Sequence, residues 1–159
     1  MVSREALAKS TLFSSLNEVE LDHVARLCEE REYGAQTVLF QERGPASHLY
    51  LVQQGKVAIE MGLPSGASTV QRQATVELAS QGEVLGWSAL VEPYVYTFSA
   101  ICLQRVRAIA IDGPRLRGLL EQNERMGHRV VNGLLGVVVS RLNATRLLLV
   151  TERAWPVST

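Results

Sequence analysis

Apolar positions change their period twice along this chain. Near the N-terminus, Leu21, Val24, Leu27 and Cys28 recur at three- and four-residue intervals, the spacing that places side chains on one face of a helix. Asn17 stands just before them with Glu20 three residues on. That is the spacing of a capping box, in which each side chain accepts from the other residue's backbone N–H. The pattern predicts a helix from Asn17 to near Gly34, with a short turn over Arg4 to Lys9. From Gln36 to Ile111 the runs shorten and become β-branched or aromatic: Thr37 to Phe40, Leu49 to Val52, Lys56 to Glu60, Val70 to Leu78, Ser99 to Leu103 and Val106 to Ile111. Gly44-Pro45, Gln54-Gly55, Gly62 to Ser68 and Gln81-Gly82 separate them, supplying the turn chemistry. Many short strands without helices between them predict a mainly β fold, an antiparallel β jelly roll flanked by helices.

After Ile111 the helical period returns. Asp112-Gly113-Pro114 opens a short helix through Leu120, because proline suits the first helical turn. A long helix follows from Glu124 to about Arg153. Its apolar residues, Met126, Val130, Val131, Leu134, Leu135, Val138, Leu142, Leu148 and Leu149, cover more than the one stripe needed to rest on a sheet. They imply a second partner surface. Val131, Leu134, Val138 and Leu142 approximate a two-stranded seam and predict a symmetric homodimer; the alternative folds this stripe back onto the barrel of a monomer. Gly127, Gly133 and Gly136 each cost about 1 kcal/mol relative to Ala inside a helix. Either something packs very close to them or the helix bends.

The length of 159 residues suits a single domain, residues 1–159, with a helical section over 1–34, the β jelly roll over 35–111 and C-terminal helices over 112–155. Lys+Arg and Asp+Glu balance at 16 each, so no overall basic field favours direct nucleic-acid binding. The apolar tract Val130 to Val139 is interrupted and shorter than the roughly 20 residues of a membrane span, and no secretory signal is evident. No membrane partner and a cytoplasmic location are expected. Cys28 and Cys102 fit no disulfide framework or metal spacing and read as small core residues. His23, His48 and His128 are too scattered to chelate, so no metal or cofactor is expected.

The segment Gly82-Glu83-Val84-Leu85-Gly86-Trp87-Ser88-Ala89-Leu90, followed by Ser99-Ala100, resembles the phosphate-binding cassette of the cyclic nucleotide-binding domain. Gly44, Gly55 and the Leu49 to Val52 run agree with the other landmarks of that family, and the resemblance spans roughly residues 10 to 150. It implies a ligand site at Gly86, Trp87, Ser88, Ala89, Leu90, Thr97, Phe98, Ser99 and Ala100. It also implies a two-fold dimer through the long helix. In the family a short helix aims its amides at the cyclic phosphate, an acid after the second glycine binds the ribose, and an arginine shortly before the Ser/Thr-Ala step pairs with the phosphate. Helix N-terminal amides and a planar bidentate donor are both suited to an anion.

This chain departs from that pattern at both charged positions. Trp87 follows Gly86, and the place of the arginine holds Phe98 or, one residue earlier, Thr97; Val95 lies between the two tyrosines Tyr94 and Tyr96. No Lys or Arg occurs between Arg72 and Arg105, while Glu77, Glu83 and Glu92 do. Losing one partner of a buried charge pair costs about 2 to 5 kcal/mol, and a second hydrogen bond to a charged group roughly 1.5 to 3. Together these are on the order of three to six decades of affinity. Stacking of a base on Trp87 returns about 1 to 3 kcal/mol, which does not close the gap.

The expected function is therefore a non-enzymatic sensory or regulatory module that binds cAMP and cGMP weakly or not at all. Its ligand is an unknown small molecule, apolar or aromatic, nucleotide-like at most, and its output passes to a separate effector protein. Gly86-Trp87-Ser88-Ala89-Leu90 lacks the last glycine of a nucleophile elbow, which disfavours hydrolase chemistry. Two alternatives stay open. One is ordinary cyclic nucleotide sensing with an arginine from elsewhere, Arg72 or Arg43; the other is an interaction module whose pocket is sealed by Trp87, Tyr94 and Tyr96. Arg141, Arg146 and Arg153 read as a solvated face of the long helix.

Overall fold

A computed structural model describes residues 2–63 and 73–153. Two short helices lead in, α1 (Arg4–Ala8) and α2 (Glu18–Ala25). The capping box at the start of α2 forms in both directions: Glu20 N–H donates to Asn17 Oδ1 at 2.9 Å and Asn17 N–H to Glu20 Oε1 at 3.0 Å. The helix does not run on to Gly34. It ends at Ala25, and residues 28–33 form β1 (Cys28–Tyr33) instead. Cys28, expected on the helix face, opens this strand, and its Sγ–H donates to Val24 O at 3.2 Å. Local spacing favoured a helix here, but the free edge of the last strand needs a backbone partner, and pairing overrides propensity.

The remaining strands are β2 (Val38–Phe40), β3 (His48–Gln54), β4 (Val57–Gly62), β5 (Gln73–Ala79), β6 (Val84–Leu85), β7 (Ser99–Cys102) and β8 (Val106–Asp112). They form two antiparallel four-stranded sheets, in the orders β1-β8-β3-β6 and β2-β7-β4-β5. This is a jelly roll. The two-residue strand β6 is too short for a sequence pattern to reveal. Positions 64–68 of the expected turn, positions 70–72 of the expected strand and Arg72 lie outside the described residues.

Strands β3 and β8 carry continuous apolar runs because they are covered on both faces. Side chains alternate across a strand, so Leu49, Leu51, Ile109 and Ile111 join the core beneath the helices, while Tyr50, Val52, Val106, Ala108 and Ala110 fill the space between the sheets. Helix α3 (Gly113–Gln122) starts at Asp112, whose carboxylate accepts from Arg115 N–H at 2.8 Å. Helix α4 (Glu124–Arg153) follows, and its Met126, Val130 and Leu134 are buried in the helix-side core.

Close packing accounts for two glycines of α4. A Cβ on Gly133 would lie 2.8 Å from both Thr11 O and Leu12 O, and one on Gly127 would lie 2.8 Å from Leu120 O. Nothing in the structure explains Gly136. By length and mean hydropathy, 1.5 over its most apolar 18 residues, α4 is also long and apolar enough to cross a membrane, contrary to the expectation from the interrupted tract alone. Its three buried residues are nonetheless part of the domain core.

Candidate ligand-binding site

Gly86 ends β6 with φ 75°, a left-handed conformation that a side chain disfavours. A Cβ at this position would also meet His48 O at 2.8 Å. The chain turns sharply there into a single 3-10 turn, Trp87–Leu90, which brings Trp87 toward α4. Between that turn, the β2–β7–β4–β5 sheet and α4 lies a cavity of about 210 Å³. This is smaller than the roughly 300–1,000 Å³ of drug-sized sites, so the occupant it suits is small.

Five of the nine expected site residues, Gly86, Trp87, Ser88, Thr97 and Phe98, line this cavity. Four do not. Ala89 and Ala100 are fully buried and Leu90 packs against the helix-side core. Ser99 is buried, and its Oγ accepts from Glu42 N–H at 2.9 Å. The Ala89 amide, in a residue expected at the ligand site, donates instead to Gly86 O at 3.0 Å, the i→i−3 bond that closes the 3-10 turn.

The rest of the wall comes from distant segments. Phe40 stacks on Tyr96 with ring centres 3.9 Å apart. The Tyr96 hydroxyl donates to His48 O at 2.6 Å and accepts from His48 N–H at 3.1 Å. Burial pushes the Tyr96 hydroxyl above its ordinary pKa, which keeps it neutral and able to donate. Tyr94 stands apart, under the Arg117 guanidinium at 3.7 Å. Val138, Arg141, Leu142 and Thr145 close the cavity from α4, and Glu77 from β5.

Arg141 does not lie on a solvated face. Its side chain is 15% exposed, and it lines the cavity because it shares a helix face with Val138 and Thr145. Its guanidinium pairs with the Glu77 carboxylate, donates to Val84 O at 3.3 Å and stands 5.3 Å from the Trp87 ring centre. Among the described lining residues it is the one cation. Arg43 is exposed and does not line the cavity; its N–H bonds Tyr96 O at 2.8 Å.

The expected dimer residues divide between two environments. Leu134 is buried in its own chain's core, 8% exposed, and so cannot face a partner. Val131, Val138 and Leu142 remain accessible, and their neighbour Leu135 is 58% exposed. Replacing Leu134 by Leu135 turns an irregular stripe into Val131, Leu135, Val138, Leu142, Thr145 and Leu149, with regular four- and three-residue steps.

Residues 30–123, which hold β2 to β8, most of β1 and the 3-10 turn, match the family model described as the cyclic nucleotide-binding domain. The chain belongs to the cyclic nucleotide-binding domain family. This is a regulatory, ligand-binding class of domain, and similar solved structures include bacterial ones. A Geobacter metallireducens protein described as cyclic nucleotide-binding is 30% identical, with TM-score 0.77, covering 89% of this chain and 99% of that one. A cyclic nucleotide-binding domain from Methylobacillus flagellatus shares the fold at 16% identity and TM-score 0.78, covering 97% of this chain and 84% of that one. The catabolite activator protein of Thermus thermophilus shares it at 24% identity and TM-score 0.69, covering 88% and 62%. A Rhodopseudomonas palustris protein named as a potassium channel is 25% identical over 130 residues; the match takes in 82% of this chain and spans 30% of that relative.

Sequence reasoning reached the cassette side of the cavity and missed Phe40, Ile59, Glu77, Leu85, Arg141 and Thr145. One signal was available. Arg141 interrupts an apolar helix stripe four residues before Thr145, where a solvated cation is out of place.

Proposed function

We propose that this domain is a non-enzymatic regulatory module whose cavity takes a small aromatic ligand and binds cAMP and cGMP weakly. The observation that carries this reading is the engagement of Arg141 by Glu77 in a cavity whose walls include the aromatic rings of Phe40, Trp87, Tyr96 and Phe98. A cyclic phosphate entering there meets a guanidinium already neutralised by a carboxylate, and like charges brought together cost affinity. Isothermal titration with cAMP and with cGMP tests it. The expected result is a dissociation constant well above micromolar for both; a sub-micromolar one-site curve for either overturns it.

The module acts as a homodimer. Val131, Leu135, Val138, Leu142, Thr145 and Leu149 have the alternating four- and three-residue spacing of a two-stranded coiled-coil seam, and the apolar members are all more than a third exposed. Val138, Leu142 and Thr145 also border the cavity. Ligand and partner helix thus press on the same side chains, which is the physical link from binding to output. A separate effector protein reads that output.

Arg141 favours one second reading, in which a cyclic nucleotide displaces Glu77 and takes the guanidinium from α4 as its phosphate contact. The same titration separates the two.

A further inference from the structure

Two opposite charges, Glu77 on β5 and Arg141 on α4, line one wall of the cavity in contact with each other. The same cavity is lined by flat aromatic side chains, Trp87 and Phe98 among them. The pair presents an acceptor beside a fan of donors, and its charges cancel.

We infer that Glu77 determines specificity at this site, making it select an uncharged planar heteroaromatic or aryl amide that donates to Glu77 and accepts from Arg141 along one edge. The inference rests on the reading that this cavity is the ligand site, and deepens it by naming the ligand class. A planar ring gains stacking against the indole and phenyl walls. An amide-type edge satisfies both members of the ion pair without separating them. An anion of the same shape must either expel Glu77 from Arg141 or sit beside a second carboxylate, and such like-charge contact is a recognised means of rejecting wrong partners.

The test uses two isosteres, 2-naphthamide and 2-naphthoate, titrated into the full chain by NMR or calorimetry. The parent protein is expected to bind the amide about tenfold or more tightly than the acid. Glu77→Gln removes the competing carboxylate and leaves Arg141 without its counter-charge, so affinity for 2-naphthoate is expected to rise by on the order of ten- to a hundredfold, while that for 2-naphthamide is expected to fall severalfold, because a neutral amide oxygen replaces the charged acceptor. The double variant Glu77→Gln/Arg141→Gln is expected to lose the gain. Should the Gln variant not fold, Glu77→Thr, a good strand former on the same strand, replaces it. A parent protein that prefers the acid, an amide-to-acid ratio unchanged by removing Glu77, or no binding of either probe overturns the inference. Sub-micromolar cAMP binding by the parent protein is a separate outcome, which overturns the proposed function and is read independently of that ratio.

Discussion

Arg141 and Glu77 lie 64 residues apart in sequence and meet at one wall of the cavity, with the Arg141 side chain 15% and the Glu77 side chain 33% exposed. The contact ties the middle of α4 to β5, a strand at the end of its sheet. Arg141→Gln leaves Glu77 without its cation and removes the group over Trp87. The expected loss of stability is about 1–2 kcal/mol, between the values for surface and buried pairs. Thermal unfolding measures it. In a Trp155→Phe background the emission of Trp87 is expected to shift as well, and an unchanged spectrum would place the guanidinium elsewhere.

Leu135 lies on the exposed side of α4, one residue from the buried Leu134. Leu135→Glu places a charge in the proposed seam without touching the core and is expected to convert a dimer to a monomer in light scattering. Val138→Glu is expected to do the same and to alter the cavity wall too. A parent protein that is already monomeric at tens of micromolar removes the dimer.

Gly133 and Gly136 offer a matched pair on one helix. Ala at Gly133 would drive a methyl into the Thr11 and Leu12 carbonyls, whereas nothing lies within 4 Å of the corresponding position at Gly136. Gly133→Ala is expected to destabilise by about 1–2 kcal/mol, overpacking outweighing the helix gain. Gly136→Ala is expected to stabilise by up to about 1 kcal/mol. Each kcal/mol moves the melting temperature by roughly 2–4 °C at this size; equal shifts at the two sites would contradict the close approach at Gly133.

Burial, and then the Arg31 charge, hold the His48 imidazole below its ordinary pKa of 6.5. The fold therefore favours the neutral ring. His48 contributes stability that is present above pH 6.5 and is lost as the pH falls from there through the folded-state pKa. A melting-temperature series is expected to decline over that interval in the parent protein and less steeply in His48→Gln. A steeper decline in the variant would reverse the sign.

Much of the architecture could be read from particular residues. Asn17 and Glu20 marked the start of α2 because a capping box is a local exchange of two hydrogen bonds. Pro114 marked α3 for an equally local reason. The segment Cys28 to Tyr33 could not be read that way. Its strand state depends on the facing edge of β8, from Ile111 back to Val106, and no pattern within six residues encodes a partner that far along the chain.

The candidate site divides along the same line. Sequence alone determined the succession of short strands, the place of the cassette and the absence of a basic residue from it, since all three are legible from neighbours in the chain. Only the tertiary structure decided that α4 covers the cavity, that Arg141 enters it already held by Glu77, and that Leu134 faces inward while Leu135 faces out. Those facts depend on how one helix is rotated against a sheet. That rotation is set by the packing of Met126, Val130 and Leu134 and by the close approach at Gly133, contacts between segments that one-dimensional spacing does not contain.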